Sequence, residues 1–505
     1  MRQGKKLAVT ALTGLSLLTA AGVAGAAPTA EGAAERGGLE RFHRQHLSWQ
    51  PCGDEKLDAA GAECADVAVP LDYREPRGRT ITVAISRLKA SDGAKRRGVM
   101  LSNPGGPGGA GLDMMLTVRD AMTPEVRARY DLIGMDPRGI GRSTPVDCGW
   151  PVGSMLQSAG VDRASFERGA RTQADLAQRC RDKAGDLLPH ITTRNTARDM
   201  DVIRGALKER RISYFGVSYG TYLGAVYTQM FPQRSDRVVL DSATDPDRWT
   251  RPARQLLGKA NETALDDWAA WAADRDAEYH LGGTAARVRA LVEDLVRSAA
   301  REPIRLGEHR LDQHYLPLVL FGPLSDARQD ALLTSYVRQI ADAAGGKVVQ
   351  PSPELDATLR FAYRPTPETQ NSGQAAVMCG DAAEPRDPES YWRDIERHRA
   401  TQPVFGAFAH NITPCAFWAP PVERPTEVRN SVPALIVQAT GDTRTTYETG
   451  VALHRSMTKS RLVTLKDVRI HGVFEFFPNK CVRDSVNTYL ADGTLPARDR
   501  TCHVD

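Results

Sequence analysis

The most informative segment of the chain is Gly216-Val217-Ser218-Tyr219-Gly220, which follows the short apolar run Ile212-Ser213-Tyr214-Phe215. A Gly-x-Ser-x-Gly sequence between a strand and a helix is typical of a sharp turn that exposes the serine hydroxyl as a nucleophile. The glycines are needed because such a turn brings backbone segments together where a side chain would clash. The alternative interpretation is an ordinary buried serine in a strand–helix turn.

Short apolar runs alternate with helical stretches on both sides of this motif. This alternation predicts a parallel α/β sheet. The helical stretch runs over residues 194–208. The predicted strands lie near residues 67–69, 81–85, 99–101, 132–135, 212–215, 238–240, 434–438 and 462–465.

The alternation stops between about residues 246 and 432, where Ala- and Arg-rich helical stretches take over. We expect this segment, called the cap below, to be a mainly helical insertion that covers one edge of the sheet. Trp268 and Trp271 are expected to belong to the core of the cap. Residues 40–245 and 433–505 would then form the two parts of the sheet domain.

The N-terminus is typical of a secretion signal. Arg2, Lys5 and Lys6 precede an apolar run, and Ala24-Gly25-Ala26 is a small-x-small cleavage site. Residues 1–26 are therefore predicted to be a signal peptide, with a membrane anchor as the alternative, and residues 27–39 a linker or pro-segment. We expect a secreted, extracellular protein with no membrane partner.

Eight cysteines follow this segment, and an even number in an exported chain predicts disulfides. Eight cysteines allow 105 pairings, which the sequence cannot distinguish. Pairing of neighbours is the simplest hypothesis. It would join Cys52 to Cys64, Cys148 to Cys180, Cys379 to Cys415, and Cys481 to Cys502.

The charge balance argues against nucleic acid as a partner. The 505 residues include 66 basic and 62 acidic side chains, for a net charge of +4, and no basic tract is present. No Cys-x-x-Cys pair occurs, so we expect no metal site, and acyl transfer by a serine requires no cofactor.

A serine nucleophile needs a base and a third group that orients the base. Asp442 lies in a loop after the strand near 434–438, and His471 lies in a loop after the strand near 462–465. Both loops are expected at the sheet edge that holds Ser218, which predicts a catalytic triad. Asp241, which also ends a strand, is the main alternative for the acid, and Asp467 is a weaker one.

Acyl transfer also needs N–H donors for the developing oxyanion. The run 103–111 reads Asn-Pro-Gly-Gly-Pro-Gly-Gly-Ala-Gly and follows the strand near 99–101. The backbone N–H groups of Gly106 and Tyr219 are the predicted donors. A phosphate-binding loop is disfavoured, because no Lys-Ser/Thr pair follows and the Gly-x-Gly-x-x-Gly order is absent.

Three segments together resemble a known family. They are residues 103–108, Asp136-Pro137-Arg138-Gly139-Ile140-Gly141-Arg142-Ser143, and 216–220. They are similar to the secreted tripeptidyl aminopeptidases, which belong to the proline-iminopeptidase-like serine peptidases of the α/β-hydrolase fold. Residues 69–73 and 377–381 also resemble family segments, and the likeness extends from about Trp49 to Cys502. One departure is the Asn-Pro of the loop, where related iminopeptidases have His-Gly.

The resemblance implies an α/β-hydrolase sheet with a helical cap, and a triad of Ser218, Asp442 and His471. It also implies removal of short peptides, of three residues, from substrates with a free N-terminus. Asp381 and, second, Glu384 are candidates to bind the substrate's cationic amine; solvated loop acids are the alternative. Two other functions stay open, a secreted esterase or lipase and a non-catalytic binding protein on a hydrolase scaffold.

Overall fold

The computed structural model describes residues 38–364 and 372–504. The predicted signal peptide and residues 27–37 of the predicted linker lie outside the described residues. Among the residues that are described, no helix combines the length and the apolar character needed to cross a bilayer.

A ten-stranded sheet forms the centre of the molecule, in the order β1-β2-β3-β5-β4-β6-β7-β10-β11-β12. The first pairs, up to β3 with β5, are antiparallel, and the pairs from β5 to β12 are parallel. The strands, including the β8–β9 hairpin of the cap, are β1 Gln50–Pro51, β2 Glu63–Pro70, β3 Thr80–Leu88, β4 Gly98–Asn103, β5 Tyr130–Met135, β6 Ile212–Val217, β7 Ser235–Asp241, β8 Ile304–Leu306, β9 His309–Leu311, β10 Ala434–Ala439, β11 Ser460–Leu465 and β12 Arg500–Cys502.

The central strands are mostly apolar because helices cover both faces of the sheet. Every residue of β4, β5, β6 and β10 is buried, as expected for parallel strands. The principal helices of the sheet domain are Met114–Ala121, Arg163–Ala184, Thr193–Ala206, Tyr219–Met230, Tyr447–Ser456 and Lys480–Asp492. The shorter ones are Glu55–Ala59, Pro124–Arg127 and Val473–Phe476. The eight strands and the helix predicted from sequence are all present, and the fold class is that of an α/β hydrolase.

Helices occupy most of the chain between β7 and β10. They are Arg251–Ala273, Asp276–Tyr279, Ala285–Arg301, Leu316–Phe321, Asp330–Ala344, Pro353–Tyr363, Ser372–Asp381, Pro388–His398 and Gly406–Ala409. They surround an apolar core of their own. Trp268 is fully buried in it, with its indole N–H donating to Thr334 Oγ1 at 3.0 Å, and Trp271 packs against the same core.

One segment of the sheet domain joins the cap, which the sequence did not predict. The backbone N–H of Ser158 donates to the carbonyl of His314, and that of Ala159 donates to the carbonyl of Ala407, both at 2.8 Å. The cap is therefore anchored to the sheet domain by more than its two chain connections.

Four disulfides join neighbouring cysteines in the predicted pairing: Cys52–Cys64, Cys148–Cys180, Cys379–Cys415 and Cys481–Cys502. The third bridge lies within the cap. The fourth ties the C-terminal strand to the helix Lys480–Asp492.

Candidate active site

Ser218 lies at the turn between β6 and the helix Tyr219–Met230. Its backbone has φ of 57° and ψ of −125°, a strained conformation for a residue with a side chain. The turn is possible because Gly216 and Gly220 approach other backbone closely. A Cβ at Gly216 would lie 2.4 Å from the carbonyl oxygen of Gly220, and one at Gly220 would lie 2.5 Å from that of Asn103. The geometry is that of an exposed nucleophile on a sharp turn.

The glycine-rich loop after β4 lies directly against this turn. A Cβ at Gly105 would lie 2.9 Å from the Cβ of Ser218 and 3.0 Å from the backbone nitrogen of Tyr219. Gly106, Ser218 and Tyr219 line one pocket. The two predicted oxyanion donors therefore lie beside the predicted nucleophile.

The structure pairs His471 with Asp442. The Nδ1 atom of His471 lies 2.9 Å from Oδ2 and 3.0 Å from Oδ1 of Asp442. A carboxylate can only accept, so Nδ1 carries the proton and Nε2 is left as the acceptor. Burial alone would raise the pKa of Asp442, but the interaction with His471 and the N–H groups of Arg444 and Thr445 lower it. Asp442 is thus held as an anion that orients the imidazole.

The two alternative acids have other partners. The carboxylate of Asp241 accepts from the backbone N–H of Val473 at 3.0 Å and from that of Phe474 at 2.6 Å. Asp467 is 77% exposed and lies 3.7 Å from Lys466. Among the described hydrogen bonds, the His471 ring bonds to the carboxylate of Asp442 and to neither of these.

Thr445 links the acid–histidine pair to the pocket of Ser218, a contact that no sequence pattern predicted. Its hydroxyl donates to Asp442 Oδ2 at 2.9 Å and lies 3.5 Å from Nδ1 of His471. Thr445 also lines the pocket that contains Ser218.

The pocket has a volume of about 120 Å³ and a mainly apolar wall. Two cations, Arg254 and Arg444, contribute to the wall, and no carboxylate of the described residues does. The apolar lining residues are Pro107, Leu156, Trp249, Ala253, Leu256, Leu257 and Met378. Several of these come from the cap helix Arg251–Ala273, whose role in the pocket could not be predicted because it depends on how the cap folds back over the sheet edge.

Asp381 is buried behind this wall with both carboxylate oxygens bonded. Its oxygens accept from the N–H of Thr193 at 2.7 Å, the hydroxyl of Thr193 at 2.6 Å and the indole N–H of Trp249 at 2.9 Å. Burial raises its pKa to about 6, against the lowering by these hydrogen bonds. These contacts hold the pocket residue Trp249 in place, and they are not those of a solvated loop acid.

Glu384 is also buried, and its carboxylate forms a two-pronged ion pair with the guanidinium of Arg254 at 3.0 and 3.1 Å. Burial would raise the pKa of Glu384, but Arg254 and the hydroxyls of Thr413 and Tyr391 lower it. Its charge is therefore already balanced inside the cap. Neither Asp381 nor Glu384 reaches the pocket surface as a free carboxylate, which differs from what an amine-binding role requires.

Two family models match the chain. One, described as the alpha/beta hydrolase fold, covers residues 98–314, and the other, described as TAP-like protein, covers residues 402–502. Together they include the segments that hold Ser218, Asp442 and His471.

Relatives match over nearly the whole chain. Tripeptidyl aminopeptidase of Streptomyces lividans is 36% identical over 92% of this chain and 87% of its own length. Serine protease Hip1 of Mycobacterium tuberculosis is 30% identical over 91% of each chain, and carboxylesterase B of the same species is 30% identical over 90% of this chain and 89% of its own. The chain therefore belongs to the tripeptidyl aminopeptidase-like family of serine peptidases, which are enzymes of the α/β-hydrolase fold.

Proposed function

We propose that this protein is a secreted serine exopeptidase that releases tripeptides from free N-termini through an acyl-enzyme. The observation that carries the proposal is the contact of His471 Nδ1 with both oxygens of Asp442, at 2.9 and 3.0 Å. Asp442 and His471 follow the parallel strands β10 and β11, and Ser218 follows β6 of the same sheet. All three therefore belong to the carboxyl edge of the sheet.

In the proposed reaction, His471 Nε2 takes the hydroxyl proton of Ser218 as its Oγ attacks the scissile carbonyl carbon. The N–H groups of Gly106 and Tyr219 stabilise the oxyanion that forms. His471 then gives the proton to the leaving amine, and the C–N bond breaks. The remainder of the substrate departs with its new amino terminus, and the N-terminal tripeptide remains as an ester on Ser218. A water molecule, deprotonated by His471, hydrolyses this ester and restores the hydroxyl.

The pocket is suited to a small, apolar side chain on the acyl part of the substrate. Its volume of about 120 Å³ is comparable with the roughly 150 Å³ cavity that holds a benzene molecule. A pocket of this size accepts one small or medium side chain next to the scissile bond. We expect Ala, Val, Leu or Pro to be preferred at that position over Lys or Glu.

The requirement for a free N-terminus rests on the similarity to the tripeptidyl aminopeptidase of Streptomyces lividans. The amine-binding roles of Asp381 and Glu384 stay predictions, and the contacts of both carboxylates within the protein weigh against them. A substrate amine would have to displace Arg254 from Glu384, or Thr193 and Trp249 from Asp381.

Hydrolysis of a matched panel of peptide amides tests the proposal. The panel contains di-, tri- and tetrapeptides, each with a free and an acetylated N-terminus, and Ser218→Ala is the control for contaminating peptidases. We expect the free tripeptide to have the highest kcat/KM and acetylation to reduce it strongly. Equal cleavage of free and acetylated peptides would contradict exopeptidase action.

A secreted esterase is the second candidate, favoured by the apolar pocket and by the carboxylesterase relative. It would use the same triad. The ratio of kcat/KM for an acetyl or butyryl ester to that for the tripeptide amide separates the two. An esterase would hydrolyse the simple ester readily and leave the amide intact.

Secretion is supported by the predicted signal peptide and by four disulfides, which persist in oxidising compartments. Expression of the full chain in a secreting host, followed by N-terminal sequencing of protein from the medium, tests it. The expected mature N-terminus is Ala27. Retention of the protein inside the cell with residues 1–26 attached would contradict secretion.

A further inference from the structure

Asp241 ends the strand β7, which lies between β6 and β10 in the sheet. It therefore sits between the strands that lead to Ser218 and to Asp442. Its backbone carbonyl accepts the N–H of Ser218 at 3.0 Å. The carbonyl at the end of β7 thus fixes the backbone of the nucleophile.

The side chain of Asp241 binds the loop that follows His471. Its two oxygens accept the N–H groups of Val473 and Phe474, and the hydroxyl of Ser242 accepts the N–H of Gly472 at 2.8 Å. Ser242 in turn donates to Asp241 Oδ1 at 3.1 Å. Three consecutive N–H groups, beginning one residue after His471, are therefore bound by one pair of adjacent residues.

We propose that Asp241 is a positioning residue of this active site, holding Ser218 through its backbone and the His471 loop through its carboxylate. This inference rests on the proposed triad. Hydrogen bonds to an ionised acceptor are shorter and stronger than neutral ones, so the carboxylate defines where the loop lies. The imidazole must be within hydrogen-bonding distance of both Asp442 and Ser218, and a displacement of about 1 Å can cost about 100-fold in rate.

Glu475 provides a second, independent observation about the carboxylate of Asp241. Its carboxyl is buried beside that of Asp241, and no N–H or hydroxyl group among the described residues donates to either of its oxygens. Burial and the charge of Asp241 both raise the pKa of Glu475. Two adjacent buried carboxyls cannot both ionise at low cost, so Glu475 keeps its proton and Asp241 keeps the charge.

Few other charges act on this pair. Burial raises the pKa of Asp241 above its ordinary value, against the lowering by the N–H groups of Phe474 and Val473, by the Ser242 hydroxyl and by the nearby His471. On the two helices that pack against Val473–Phe476, Arg119 pairs with Asp120 and Lys480 pairs with Asp484. Arg483, on the second of these helices, forms no hydrogen bond with Glu475. Ionisation of Glu475 would therefore place a second, unbalanced negative charge beside the Asp241 carboxylate. This charge would weaken the contacts that hold the His471 loop.

Four variants test this role: Asp241→Asn, Ser242→Ala, Glu475→Gln and, as a matched control at an exposed loop acid, Asp467→Asn. The readouts are kcat and KM on the tripeptide amide, the rate of inactivation by a serine-directed phosphonate, and the pH profile of kcat/KM. Asp241→Asn should lower kcat and the inactivation rate by about 10- to 100-fold, with KM changed less than about twofold.

The pH profile separates positioning from a merely structural role. Glu475→Gln cannot ionise, so it should extend the alkaline limb of the profile to higher pH. Asp467→Asn should match the parent in all three readouts.

Parent-like kcat and inactivation rate in Asp241→Asn would overturn the inference. So would a fall in the kcat of Asp241→Asn together with a parent-like alkaline limb in Glu475→Gln. If Asp241→Asn does not fold, Ser242→Ala serves as the test instead. It should slow inactivation by the phosphonate several-fold, and a parent-like rate would overturn the inference. Failure of the proposed function is distinct: it would appear as a parent enzyme that the phosphonate does not inactivate, or as an active Ser218→Ala.

Discussion

Replacement of Glu384 by Gln removes the counter-ion of a guanidinium that has almost no access to water. The side chains of Arg254 and Glu384 are 4% and 1% exposed, and their two hydrogen bonds measure 3.0 and 3.1 Å. The substituted glutamine would keep the shape but lose the charge, which leaves Arg254 buried without a balancing anion. Breaking a buried ion pair in this way costs about 3–5 kcal/mol.

The loss of stability in Glu384→Gln depends on pH in a defined direction. The pKa of Glu384 is lowered in the folded protein, so its stabilisation is present above the unfolded-state value of about 4.3 and is lost as pH falls through the folded-state value. The variant should therefore unfold at a Tm about 3–5 °C below the parent at pH 7, because an unfolding entropy of about 2.1 cal/mol/K per residue makes one kcal/mol worth roughly 1 °C in a chain of this length. The difference should shrink in strongly acidic buffer.

Thermal unfolding followed by near-ultraviolet circular dichroism measures this difference. Glu389→Gln is the matched control, because Glu389 also pairs with an arginine, Arg163, but the two side chains are 45% and 42% exposed. We expect little change for that exposed pair. Combining Glu384→Gln with Arg254→Met should recover part of the lost stability, since the double variant leaves no unpaired charge.

Kinetics on the same variant separate the two roles of Glu384. If it only balances Arg254, KM for free and for acetylated tripeptides should change by the same factor. An unchanged Tm would refute the energetic reasoning. A rise in KM confined to free tripeptides would refute the purely structural role and support amine binding.

Four further outcomes are expected. Ser218→Ala should lower kcat by about a thousandfold or more with an unchanged circular dichroism spectrum, and residual activity near that of the parent would exclude Ser218 as nucleophile. The parent's kcat/KM should fall toward acid pH because a protonated His471 cannot act as base, so a flat profile between about pH 5 and 8 would exclude that role. Glu475→Gln should raise Tm by an amount that grows with pH, because the raised pKa of Glu475 makes the parent lose stability as pH increases from about 4.3; equal differences at pH 5 and pH 9 would contradict this. Thiol titration of the denatured, unreduced protein should find no free thiol, and two or more reactive thiols would contradict the four bridges.

Features that depend on residues close together in the chain could be predicted from the sequence. The turn at Ser218 follows from two glycines within two residues of it, and the buried strands follow from continuous apolar runs. The order of Ser218, Asp442 and His471 along the chain, each after a strand, was enough to predict one sheet edge for all three. The disulfides also join neighbours in the chain, so the simplest pairing was sufficient.

The direction of side chains and the contacts between residues far apart in the chain depend on the tertiary structure. Asp241 and Asp442 both follow strands of the same sheet, and only the packing of the His471 loop directs one to the imidazole and the other to the N–H groups of Val473 and Phe474. The partner of Glu384 lies 130 residues away in the chain. Charges on such distant residues balance each other only after the cap itself has folded, and sequence spacing carries no information about that contact.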